Sequence, residues 1–159
     1  MARINISTFI ECPIEIVFDL SRSIDLHLIS TGKTNEQAVG GVTTGIIQLH
    51  EQVTWKANHL FRTRLFTSRI TAMSPPFYFR DDMVKGDFKR FFHEHFFEVF
   101  ESGTLMEDHI LLESPYGIIG KLADAVYLKK YMTGFLLERN KVIKGFAESG
   151  NWKKILHNK

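Results

Sequence analysis

Residues 3–11 alternate apolar and polar, with Ile4, Ile6, Thr8 and Ile10 on one face. That period of two predicts an opening β-strand. Pro13 follows at a favoured position for the first residue of a helix. Residues 14–20 and 24–30 then read as two short helices, and the polar, glycine-bearing stretch 31–44 reads as a loop. After the loop, runs rich in β-branched and aromatic residues return. Residues 45–49 and 52–60 predict a hairpin turning near His50 and Glu51. Residues 61–73 predict a long strand that ends at Ser74, Pro75 and Pro76. Residues 77–84, 88–100 and 104–113 complete the set, with Glu101, Ser102 and Gly103 turning the last pair. Strands joined by such short turns run antiparallel.

From 118 to about 149 the period becomes helical. Ile118, Leu122, Ala125, Leu128, Met132, Phe135, Val142, Ile143 and Phe146 form one stripe, which Arg139 interrupts. A helix of about 30 residues is about 45 Å long, unusual in a small domain unless a curved sheet grips it. The pattern therefore predicts a single α+β domain over 1–159. About seven antiparallel strands wrap around a long C-terminal helix, and two short helices follow the first strand.

Composition narrows the setting. Apolar residues are 44% and charged residues 24% of the chain, values typical of a folded globular domain. No run reaches the roughly 18–20 apolar residues of a membrane helix. The net charge of +2 is scattered, which argues against a nucleic-acid partner. The single cysteine, Cys12, has no internal partner and fits a reducing, cytoplasmic setting. It precedes a helix start, where a dipole lowers a thiol pKa, but capping or burial explains it better. Fourteen phenylalanines are enough to fill a core and also line an apolar pocket.

On residues 88–100, one face carries Phe91, His93, His95, Phe97 and Val99. The other mixes Phe92, Phe96 and Phe100 with Glu94 and Glu98. Imidazoles that can be neutral suit the interior better than carboxylates, so the histidines point inward. The outward phenylalanines then suit a partner face or a homodimer. On the next strand Thr104, Met106, Asp108, Ile110 and Leu112 share the inner face, placing Asp108 across from about Phe96 or Phe97, near His95. Trp55, sharing a face with Val53 and Ala57, also points inward, whereas Arg69 reads as an outward, solvated charge. The His-x-His pair resembles the start of a cupin metal set. Glu98 and Glu101 stand at the wrong spacing for that set, and after Pro115-x-Gly117, which partly echoes the second cupin motif, no histidine follows before His157. No metal and no cofactor is predicted, and phosphate loops and nucleophile elbows are absent.

Several stretches carry a resemblance. They are Pro13-x-Glu15-x-Val17-Phe18, Asp25-Leu26-His27-x-x-Ser30, Glu51-x-Val53-Thr54-Trp55, Gly86-x-Phe88, Phe91-x-His93-x-His95-x-Phe97, Gly103-Thr104-x-Met106-x-Asp108 and Pro115-x-Gly117. With the element order, they make the chain similar to the SRPBCC superfamily (START and birch-pollen-allergen-like proteins) over almost its whole length. Within it the chain looks like a small bacterial branch sometimes labelled cell-division inhibitor. The resemblance implies a helix-grip fold and a cavity for a hydrophobic or aromatic molecule of lipid-, polyketide- or isoprenoid-like kind. It also places His27 on a helix that closes one end of that cavity.

The candidate ligand contacts are therefore His27, Trp55, Phe91, His93 and His95, with Phe97, Thr104, Met106 and Asp108. The first reading is binding of a small hydrophobic molecule. A second is a cyclase, dehydratase or hydrolase with His95 as general base and Asp108 holding its tautomer. A third is a protein-interaction module.

Overall fold

A computed structural model describes residues 1–59, 62–115 and 127–156. The chain opens with β1 (Ala2–Ile10), followed by α1 (Ile14–Ser21) and α2 (Ile24–Ser30). Six strands come next: β2 (Gln37–Gly41), β3 (Gln52–His59), β4 (Arg62–Ser74), β5 (Tyr78–Lys85), β6 (Arg90–Phe100) and β7 (Gly103–Glu113). The long helix α3 (Lys129–Glu148) and a short α4 (Trp152–Leu156) close the chain. The seven strands form one sheet in the order β1-β7-β6-β5-β4-β3-β2, antiparallel throughout. This is the helix-grip arrangement that the resemblance implies. The apolar stripe positions 118, 122 and 125 lie outside the described residues. Among the described residues no helix is long and apolar enough to cross a membrane.

Two expectations are corrected. The stretch 31–44, read as a loop, contains a 3-10 turn at Gly32–Thr34 and the edge strand β2. Its alternate residues Gln37, Val39 and Gly41 are exposed, so an apolar inward face never shows in the pattern. At Gly41, with φ +71°, a Cβ would meet the Gln52 carbonyl oxygen at 2.0 Å, so only glycine lets the strands approach there. Conversely, residues 45–49 form no strand of the sheet. Ile24 N–H donates to Gly45 O (2.8 Å) and Ile47 N–H to Arg22 O (3.2 Å), so this segment pairs with the α1–α2 junction. The edge of β3 is taken by β2 instead.

The apolar stripe on α3 faces inward as predicted, with Leu128, Met132, Val142 and Phe146 packed against the core and Phe135 on the cavity wall, and the buried seam extends beyond it. The buried residues are Leu136, Arg139, Asn140, Ile143 and Ala147. Leu136 packs with Ile4, Ile6, Ile110 and Leu112, while Ile143 and Ala147 join the cluster around Phe18, Phe79 and Phe97. Arg139 and Asn140 sit between these two apolar contacts of the helix. The charge that seemed to interrupt the stripe is therefore part of the interior.

Candidate functional site

The polar interior is assembled by strand register. Asp81 on β5 stands directly opposite His93 on β6, and His95 stands directly opposite Asp108 on β7. Directly opposed residues of an antiparallel pair share a face and bring their side chains close. Two adjacent rows thus deliver Asp81, His93, His95 and Asp108 to one inward patch, and α3 lowers Arg139 and Asn140 onto it.

Asp108, without accessible surface, is the hub. Its Oδ1 accepts from His93 Nε2 (2.8 Å) and Arg139 Nη1 (3.3 Å), and its Oδ2 accepts from Asn140 Nδ2 (2.6 Å). Arg139 Nη1 also donates to Asn140 Oδ1 (3.1 Å), which orients the amide so that its NH2 faces the carboxylate. His95 reaches two acids: Nε2 lies 3.2 Å from Asp81 Oδ2 and Nδ1 lies 2.9 Å from Asp108 Oδ1. Only the first is a hydrogen bond. The second is close but badly angled, so the buried Nδ1 has no hydrogen-bond partner among the described residues. The two imidazoles lie against each other with centroids 3.7 Å apart, and Phe79 stacks on His95 at 4.0 Å.

Burial by itself pushes the Asp108 carboxyl up, but the Arg139 charge and the imidazole contacts outweigh it and hold it well below the usual carboxylate range. Asp81 is lowered in the same way, with burial opposed by the His95 hydrogen bond and the nearby His93. Burial and the neighbouring His95 bring His93 down to about 4, against the pull of Asp108. At neutral pH the patch therefore holds ionised Asp81 and Asp108 beside a neutral His93, which donates through Nε2 to Asp108. Cys12 is buried and burial pushes its thiol up, so it is no activated nucleophile.

A cavity of about 400 Å³ opens between the sheet and α3. Trp55, Phe66, Ile70, Phe79, Phe91 and Leu136 contribute apolar wall, and Asp81, His93, His95 and Arg139 contribute a charged section. His27 also lines it, stacked on Trp55 at 4.2 Å with Nε2 2.6 Å from Glu36 Oε2. Of the residues expected at the ligand, His27, Trp55, Phe91, His93 and His95 are on the wall. Phe97, Thr104, Met106 and Asp108 are not, and the last three have no surface left to offer. They share the inward face, but other elements cover them. Phe97 packs edge-on to Phe18 of α1 (5.4 Å), and Thr104 Oγ1 donates to Cys12 O (2.8 Å). The Met106 sulfur accepts from Ser21 Oγ (3.4 Å), and Asp108 sits behind the two histidines.

Asp81, Glu36, Arg139 and Asn140 were not anticipated. A charge inside an apolar stripe is a signal for Arg139, and the alternation Phe79, Asp81, Met83 is one for Asp81. Glu36 fell in the supposed loop. On the outer face, Phe92 lies under the Arg80 guanidinium (4.2 Å) and Phe96 packs with Tyr78 and His109, whereas Phe100 remains 45% exposed. Arg69 points outward and donates to Gln52.

No family model and no curated protein sequence matches the chain. Solved structures do. A START superfamily protein from Mycobacterium smegmatis superposes with a TM-score of 0.69 at 11% identity, covering 92% of this chain and 97% of that one. Ginseng major latex-like protein 151 from Panax ginseng gives 0.67 at 14% identity over 92% and 97%. Ara h 8.0201 gives 0.63 at 11% identity over 93% and 98%. At these identities the likeness establishes a shared fold, the helix grip.

Proposed function

We propose that the chain binds one small, mainly apolar molecule in the cavity between sheet and helix, with a polar end turned toward Asp81, His93, His95 and Arg139. One observation carries this reading: a cavity of about 400 Å³ with a mainly aromatic and aliphatic wall, onto which the patch of Asp81, His93, His95 and Arg139 faces. A few polar groups in an apolar enclosure orient a ligand while burial supplies the affinity. The START-like fold, shared with proteins across bacteria and plants, supports the same reading, and lipid-, polyketide- or isoprenoid-like molecules fit such a wall. The test is mass spectrometry of protein purified from its own host, under native and denaturing conditions. A small molecule released only on denaturation is the expected result. An empty protein that also fails to take up apolar probes would overturn it.

A second reading, acid–base chemistry on the bound molecule, is favoured by the two imidazole–carboxylate pairs, His95 with Asp81 and His93 with Asp108. His95, which lines the cavity and is hydrogen-bonded to Asp81, is then the base. His95→Gln should abolish turnover while sparing binding. Equal loss of both would sink the assignment.

A further inference from the structure

We propose that Asp81, His93 and His95 bind a divalent transition ion of the Zn(II) or Fe(II) kind at the charged section of the cavity wall. One ligand atom from each of the three lies within 4.8 Å of the others. Asp81 Oδ2 is 3.2 Å from His95 Nε2 and 4.0 Å from His93 Nδ1. An ion held about 2.0–2.2 Å from each donor needs donor separations of about 3.0 Å at right angles, about 3.4 Å at tetrahedral angles, and about 4 Å at wider ones. Both separations from Asp81 fall in that span.

The surroundings point the right nitrogens at the ion. A metal-binding histidine commonly gives its other N–H to a carboxylate, which fixes the tautomer. Here one carboxylate lies against both rings and hydrogen-bonds to His93. Asp108 Oδ1 lies 2.8 Å from His93 Nε2 and 2.9 Å from His95 Nδ1, and Arg139 and Asn140 hold it in place. With those far nitrogens protonated, His93 Nδ1 and His95 Nε2 present lone pairs toward Asp81. Neutral His95 has a carboxylate oxygen near each ring nitrogen but only one proton between them, and its Nδ1 lacks a hydrogen-bond partner among the described residues. An ion at Nε2 moves that proton to Nδ1, the nitrogen 2.9 Å from Asp108 Oδ1, and takes the side facing Asp81. Two imidazoles and one carboxylate select Zn(II) or Fe(II) over Ca(II) and Mg(II), which favour all-oxygen sets. All three donors line the cavity, so the remaining coordination positions face it. The site escapes a search for ligand spacing because the third donor comes from the neighbouring strand, through the Asp81–His93 register.

The test uses tag-free, chelator-stripped protein titrated with Zn(II) alone and Co(II) alone, with no organic ligand, so it stands apart from the cavity reading. The expected result is one ion per chain at micromolar affinity or tighter, with a Co(II) visible spectrum of low coordination number. The ring protons of His93 and His95 should shift while those of His50 and His109 do not. Asp81→Asn should weaken binding by more than the ~10–100-fold that losing an outer partner costs, and Asp82→Asn on the outer face should not. Absence of stoichiometric binding to the wild-type protein, shifts confined to other histidines, or an affinity unchanged in Asp81→Asn would each overturn the proposal. If Asp81→Asn does not fold, the wild-type ring signals decide it.

Discussion

Arg139 and Asp108 meet inside the molecule, with Nη1 3.3 Å from Oδ1, the guanidinium on the buried seam of α3 and the carboxylate in mid-strand on β7. Their contact ties the long helix to the sheet between two apolar clusters. Breaking a buried ion pair by removing one partner costs about 3–5 kcal/mol, because the other charge is stranded. Arg139→Met should lose stability of that order in urea unfolding. Combining it with Asp108→Asn removes both charges and should recover much of the loss. A double variant less stable than Arg139→Met would show that Asp108 is held chiefly by its other donors.

Acid should destabilise the fold in two stages. His93 titrates near 4 in the folded protein against 6.5 for a free histidine. Between those values the unfolded chain binds the extra proton, so stability falls as pH drops from about 6.5 toward 4, by up to roughly 3 kcal/mol. Asp108 and Asp81 have depressed folded values. Their contribution is present above the unfolded carboxyl pKa near 4 and is lost as pH falls through the folded values. Melting temperature measured from pH 7 to 4 should decline steadily, and His93→Gln should flatten that decline. A flat wild-type profile would contradict the burial of a neutral His93.

Trp55 lines the cavity against His27, whereas Trp152 belongs to α4 and is no part of the wall. Filling the cavity with an apolar probe should change tryptophan emission. Trp55→Phe should remove that response and Trp152→Phe should preserve it. The opposite pattern would place the probe elsewhere.

Gly103 begins β7 where the chain end of β1 crosses closely. A Cβ there would sit 2.3 Å from the Ile10 carbonyl oxygen, and that backbone is held in the sheet. Gly103→Ala should cost about 1–3 kcal/mol, the range for forced overpacking. Gly134, in mid-helix with nothing within 4 Å of its added Cβ, is the control. Gly134→Ala should stabilise by about 0.5–1 kcal/mol through helix propensity. Denaturant midpoints of the two variants shifting in the same direction would count against this account.

The inward and outward faces of β6 and β7 were legible in the sequence, because side chains alternate strictly and carboxylates such as Glu98 pay heavily for burial while neutral imidazoles do not. Alternation therefore places His93, His95 and Asp108 on one face. Strand β2 was not legible, since an exposed edge strand of Gln37, Val39 and Gly41 shows little apolar alternation. Residues 45–49 looked like a strand because local β propensity is blind to the available partner.

What the sequence determined by itself was local: the periods of two and 3.6, the antiparallel order, and the face on which each side chain stands. Tertiary structure alone decided which inward residues share a cavity and which are sealed. Phe97, Thr104, Met106 and Asp108 face inward with His93 and His95, yet α1 and the preceding segment cover the first three, and Asp108 lies beneath the imidazoles. The partnership of Asp81 with the histidines and of Arg139 with Asp108 likewise depends on register and helix docking between residues 12 to 31 positions apart. Those pairings are chosen by packing and charge compensation over the whole fold, and no local pattern of apolar and polar residues encodes them.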